Sequence, residues 1–170
     1  MMKAKALVLA GVMLLSMAGA AMAIEVGDSP VPFSVFNPST STNYDFPAAV
    51  KGKAALLLFF NTTCGACDSE ISVTKTYLDK NPDAFQVILI AIDSQKEARA
   101  KVDAYVKEKG MSNSMVLMDP KFEIADKYGF PFTPAAVGFG KDGKALFVIK
   151  GFSRKDSGGY LGKLDTLAGK

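Results

Sequence analysis

The chain holds 170 residues, 49% of them hydrophobic and 22% charged, with a formal net charge of +3, two Cys and no His. That length suits one domain with a sizeable core. The missing histidine excludes Ser-His-Asp triads, Cys-His nucleophiles and His-ligated zinc or iron. Two cysteines cannot build a four-thiolate site, and Asp68 directly after Cys67 excludes the Cys-x-x-Cys-His haem attachment pattern.

The chain opens with Met1-Met2-Lys3-Ala4-Lys5, an apolar stretch to about Ala18, and then Ala21-Met22-Ala23. A basic start, an apolar middle and an Ala-x-Ala end form the pattern of a secretory signal peptide, here residues 1–23. Cleavage after Ala23 leaves one domain, residues 24–170. An uncleaved membrane anchor is the alternative, because Ala4–Ala23 approaches the roughly 20 residues of a spanning helix. No cysteine stands near the cleavage point to carry a lipid. Lys3 and Lys5 leave with the leader, so the net charge of +3 falls to +1. The remaining lysines alternate with acids, as at Lys107-Glu108-Lys109, and form no footprint for nucleic acid or a charged membrane surface.

From Ile24 to Lys53 the chain is rich in Pro, Ser, Thr and Asn, which predicts irregular structure with two short edge strands at Phe33–Phe36 and Tyr44–Phe46. Residues 54–60, Ala-Ala-Leu-Leu-Leu-Phe-Phe, are a continuous apolar run, as expected of a strand buried on both faces. Cys67, Ile71, Thr74 and Leu78 then recur with helical spacing until Asn81-Pro82. A second apolar run at residues 85–92 completes a βαβ unit, hence a parallel strand pair. Ser94 and Glu97 form a capping box for a helix with Ala98, Val102, Tyr105 and Val106 on one face, closed by Gly110. Met115–Met118 predicts a short strand, and Asp119-Pro120 reads as N-cap and first residue of a helix ending at Gly129. Ala135–Phe139 and Ala145–Lys150, joined through Asp142-Gly143, predict an antiparallel hairpin. Residues 153–170 predict a last helix, weakened by Gly158 and Gly159. This order gives an α/β fold, a central mixed sheet flanked by helices.

Both cysteines lie in Cys64-Gly65-Ala66-Cys67, where a buried strand hands over to a helix. The unpaired N–H groups and partial positive charge of a helix's first turn stabilise a thiolate at Cys64. Residues three apart on a helix are close enough for a disulfide. Cys64 is expected to be the exposed, ionisable sulfur and Cys67 the shielded one. A purely structural bridge is the weaker reading, since closing four residues contributes only roughly 2 kcal/mol. Two unpaired core thiols would be unusual in an oxidising compartment.

With these residues in place, the domain resembles the exported TlpA/ResA-like thiol–disulfide oxidoreductases of the thioredoxin superfamily, of the AhpC/TSA–redoxin type, from about Val31 to Leu167. The resemblance rests on Cys64-Gly65-Ala66-Cys67 after a Leu/Phe-rich strand, on Tyr128-Gly129-Phe130-Pro131-Phe132-Thr133-Pro134 before a strand and a Lys-Asp-Gly hairpin, and on Glu70. It implies a thioredoxin-like three-layer α/β/α fold, a βαβ unit followed by a ββα unit. It further implies that Pro134 is a cis-proline facing the cysteines, with the Thr133 backbone offered to an extended substrate strand. Glu70 matches the glutamate of the family's Cys-x-x-Cys-x-x-Glu pattern. Desolvated beside Ile71 it would have a raised pKa and carry the proton of Cys67; otherwise it is a solvated helix residue. Thioredoxin proper has an aspartate in the preceding strand, where Leu58 stands here.

Thr63 replaces a tryptophan common in relatives, and Ala66 stands where proline or histidine is common. No cation lies in the motif, so the thiolate is expected to be less stabilised than in strong oxidants, which favours a reductant. The implied partners are disulfide-containing protein substrates and a membrane thiol reductase as electron donor, in the periplasm, for cytochrome c maturation or general disulfide reduction. The chain is expected to act as a monomer without a cofactor. Two rival functions exist. A peroxiredoxin-type peroxidase would carry Thr-x-x-Cys, and Asn61 stands at the threonine position. A Cu(I)-binding module could recruit Met111, Met115 and Met118, although methionines at this spacing commonly fill core gaps.

Overall fold

The computed structural model describes residues 23–37, 40–94 and 98–170. The leader, residues 1–22, and Glu97 of the capping box lie outside the described residues. Strands β1 (Phe33–Asn37) and β2 (Thr42–Phe46) pair antiparallel as a separate two-stranded ribbon. The main sheet contains β3 (Ala55–Phe60), β4 (Gln86–Ala91), β5 (Met115–Met118), β6 (Ala135–Phe139) and β7 (Ala145–Lys150), in the order β5-β4-β3-β6-β7. β3, β4 and β5 run parallel, whereas β6 and β7 are antiparallel to their neighbours. Helix α1 (Gly65–Lys80) joins β3 to β4, α2 (Ala98–Glu108) joins β4 to β5, α3 (Glu123–Lys127) precedes β6, and α4 (Ser157–Ala168) ends the fold. The mixed sheet between helical layers is what the order of elements predicts, and its arrangement is the thioredoxin-like one that the resemblance implies.

Every residue of β3 is buried, because the sheet is covered on both sides. Leu56, Leu58 and Phe60 face a cluster with Ile71 of α1, Val102 and Val106 of α2, and Tyr160 and Leu164 of α4. Leu57 and Phe59 point the other way, into a cluster with Phe33 and Phe46 of the ribbon, Ile124 and Ala125 of α3, and Tyr128. Burying each such Leu or Phe side chain contributes about 1.5–3 kcal/mol before the entropy of ordering it is subtracted. The start of the described chain is also tied down: Ile24 is buried, and its N–H donates to the Tyr128 carbonyl at 3.2 Å.

Two local expectations need correction. The helix predicted from Asp119-Pro120 begins instead at Glu123, since Phe122 adopts a left-handed conformation (φ 61°) that no helix can run through. Asp119 still acts as a cap from a distance, its Oδ2 accepting the N–H groups of Ile124 at 3.1 Å and Ala125 at 2.9 Å. On α1, Tyr77 is buried and Leu78 only half-buried. The Tyr77 ring stacks on Phe85 at 5.9 Å, and its hydroxyl donates to Asp165 of α4 at 2.8 Å.

Candidate active site

Parallel strands bring their C-terminal ends to one edge of the sheet, and the turn from β3 into α1 lies there. Cys64 is the N-cap of α1, and its Sγ accepts the Cys67 N–H at 3.1 Å. One of the helix's unpaired donors is thereby aimed at the sulfur. The two cysteines form a disulfide with their Cα atoms 5.2 Å apart. Cys64 is half-buried, whereas Cys67, one turn in, has no exposed surface. That is the asymmetry an attacking and a resolving sulfur require.

The residues before Cys64 form a bonded turn. The Asn61 carbonyl accepts the Cys64 N–H at 3.1 Å, and Asn61 Oδ1 accepts the Thr63 N–H at 2.9 Å and the Thr63 hydroxyl at 2.6 Å. The Thr62 N–H and hydroxyl both donate to Asp93, just past the end of β4. Asp93 was not among the residues that the sequence motifs singled out.

Glu70 is wholly buried one turn beyond Cys67, and among the described residues neither carboxyl oxygen has a hydrogen-bond partner within 3.5 Å. Burial pushes its pKa up to about 8, opposed only in part by the Tyr160 hydroxyl. That hydroxyl is engaged elsewhere, at 2.7 Å from Thr74 Oγ1, which itself lies 2.9 Å from the Glu70 carbonyl oxygen. Tyr160 is in turn raised well above the ordinary tyrosine range, first by burial and then by the nearby Glu70. A carboxyl group whose pKa is raised by burial thus sits one helical turn from the inner cysteine.

The residues leading into β6 reach the same end of the sheet. β6 runs antiparallel to β3 with Ala135 beside Phe59, so residues 132–134 enter the sheet at the end where the Cys64 turn leaves it. The Thr133–Pro134 bond is cis, as is Phe46–Pro47 in the ribbon. Pro134 is buried with its carbonyl accepting the Gly151 N–H at 2.8 Å, Thr133 is half-buried, and Phe132 is 53% exposed.

Two cations reach the first turns of α1 from distant parts of the chain. Lys109 pairs with Asp68, and Arg154 Nε donates to Ser69 Oγ at 3.0 Å. No local pattern announces either contact, because 41 and 85 positions separate the partners in sequence. The three methionines do not gather at one place: Met111 and Met115 line a concavity of about 740 Å³ at the opposite end of the strands, where Met115 Sδ accepts from Asn37 Nδ2 at 3.2 Å, whereas Met118 ends β5 beside Ala91 at the cysteine edge of the sheet.

Comparison with known proteins agrees with this geometry. The AhpC/TSA family profile matches residues 26–152. A Chlorobium tepidum protein assigned as the thiol:disulfide interchange protein DsbE superposes with a TM-score of 0.73 at 18% identity, over 86% of this chain and 99% of that one. A secreted Mycobacterium tuberculosis disulfide oxidoreductase homologous to Escherichia coli DsbE gives 0.63 at 21%, over 79% and 95%. A Neisseria meningitidis protein assigned as a thioredoxin gives 0.64 at 27%, over 84% and 91%. No curated protein matches the sequence.

Proposed function

The chain belongs to the AhpC/TSA family, and from that premise we propose that it is an exported thiol–disulfide oxidoreductase that reduces protein disulfides through Cys64 and Cys67. One observation carries the reading: the half-buried Cys64 sulfur caps α1 and is bonded to a fully buried partner one turn away. In the dithiol state the Cys64 thiolate attacks a substrate disulfide, breaking its S–S bond and releasing one substrate thiolate. Glu70, in its ionised form, takes the proton of Cys67. The Cys67 thiolate then attacks Cys64 Sγ, expels the second substrate thiolate and leaves the pair oxidised. Two electrons pass to the substrate. With its pKa raised to about 8 by burial, Glu70 can take up and give back a proton near neutral pH, which suits a carrier that works in either direction.

Export is supported by the leader pattern and by the secreted Mycobacterium tuberculosis neighbour. In an oxidising periplasm the dithiol must be regenerated from outside, so the reading includes a membrane thiol reductase as donor. Cytochrome c maturation or general disulfide reduction is the pathway it would serve, with the chain acting as a monomer. The Asn61–Thr63 turn at the Thr-x-x-Cys position argues for disulfide exchange over peroxide chemistry.

The test is to express the full chain with Cys67→Ala and isolate mixed disulfides. Protein partners joined through Cys64, and insulin reduction by the wild type, are expected. The proposal fails if Cys64 is alkylated no faster at neutral pH than a model thiol and insulin stays oxidised. Peroxide turnover by Cys67→Ala would transfer the assignment to a peroxidase.

A further inference from the structure

Asp93 is 4% exposed and follows β4 by two residues. β4 runs parallel to β3 with Ala91 beside Phe60, and the Ile92 N–H donates to the Phe60 carbonyl at 3.0 Å, so the chain beyond both strands stays side by side. Asp93 Oδ2 accepts the Thr62 N–H at 3.1 Å, Oδ1 lies 3.3 Å from the same nitrogen, and the Thr62 hydroxyl donates to Oδ1. Thr62 lies in the turn that the Asn61 bonds close onto Cys64. We propose that Asp93 is a positioning residue for the thiol–disulfide exchange, locking the turn that presents Cys64 and biasing the pair toward the disulfide by its negative charge, so that the dithiol becomes a stronger reductant. The inference rests on the oxidoreductase reading above.

Asp93 is hydrogen-bonded to Thr62, two residues before Cys64, and charges this close along the chain still interact at the low effective dielectric of a protein. Only the reduced pair can ionise to a thiolate, so a nearby anion disfavours the dithiol at pH values where Cys64 is ionised and leaves the disulfide unaffected. The other charged groups around the pair approach from different elements. Asp68 on α1 is matched by Lys109 beyond α2, Arg154 rests on Ser69, and Lys150 of β7 lies over the Phe130 ring at 6.0 Å. Glu70 sits buried on the inner side of α1. The two donors that Thr62 gives to Asp93 are both uncharged, so they orient the carboxylate without neutralising it.

The experiment equilibrates the full chain with glutathione, in which two glutathione thiols supply two electrons, the protein disulfide becomes a dithiol and glutathione disulfide forms. Asp93→Asn is expected to move this equilibrium constant about tenfold toward the dithiol, equivalent to about 30 mV for a two-electron couple, and to lower the midpoint of the Cys64 thiolate titration. Thr62→Val removes the hydroxyl tether and keeps the charge. It should slow exchange with glutathione at least threefold while leaving the equilibrium constant within twofold of wild type. A folded Asp93→Asn protein with an equilibrium constant within twofold of wild type overturns the proposal. So does a Thr62→Val shift as large as that of Asp93→Asn, because the effect would then belong to turn geometry alone. If Asp93→Asn does not fold, an unchanged exchange rate in Thr62→Val overturns it. These measurements read the chain's own disulfide; inactivity toward insulin would sink the proposed function and leave this comparison standing.

Discussion

Replacing Glu70 with glutamine should make the protein more stable at neutral pH and leave it nearly unchanged in acid. In the folded chain the carboxyl is fully buried without a hydrogen-bond partner, and its pKa is raised from 4.5 to about 8. Once unfolded it titrates near its ordinary value. Between those two values the unfolded chain has released the proton while the folded chain retains it, so stability falls as pH rises through that window. Each unit corresponds to 1.36 kcal/mol. Integrated from pH 4 to pH 7, this one group removes about 3 kcal/mol, and the loss levels off above pH 8. Glutamine keeps the shape and a neutral polar head but cannot ionise. Denaturant unfolding of both oxidised proteins at pH 4, 5.5, 7 and 8.5 would trace the difference. The expected curve is flat below pH 4.5, rises in favour of Glu70→Gln by about 1.4 kcal/mol per unit through the window, and plateaus above pH 8. A difference independent of pH would refute the buried, neutral carboxylic acid. The proton-carrier role would go with it.

Tyr160→Phe removes the hydroxyl that partly favours the Glu70 anion and the hydrogen bond to Thr74 Oγ1. It should cost about 1 kcal/mol of stability and move the Glu70 midpoint above 8, seen as a displaced pH profile of Cys67 alkylation in the reduced protein; an unmoved profile would separate Tyr160 from the proton path. Gly138→Ala places a methyl 2.5 Å from two ring carbons of the buried Phe147. Overpacking of this kind costs about 1–3 kcal/mol, so thermal unfolding should shift down by several degrees, and an unchanged midpoint would mean that the ring yields freely.

Local sequence determined the elements whose signals are short-range. The apolar runs at residues 54–60 and 85–92 became β3 and β4, since strands buried on both faces need no polar alternation. The Asp142-Gly143 turn lies between β6 and β7, the antiparallel pair it predicts. Helical spacing placed Cys64 at a helix start and Cys67 one turn in, and from that alone the exposed and shielded sulfurs could be told apart. The start of α3 was misplaced because an Asp-Pro pair also begins turns, and only packing decided that Phe122 would break the chain's direction.

Tertiary structure decided whatever depended on residues far apart in the chain. Glu70 could have faced water or the core; α4 closing over α1, with Tyr160 bonded to Thr74, made it a buried acid. Lys109 and Arg154 reached α1, and Asp93 reached Thr62, only because the sheet aligned strand ends and helices from separate segments. Sequence periodicity records which face of an element is apolar but not which neighbour covers it. The sulfur chemistry was therefore legible in one motif, whereas the charges and hydrogen bonds that tune it exist only in the assembled fold.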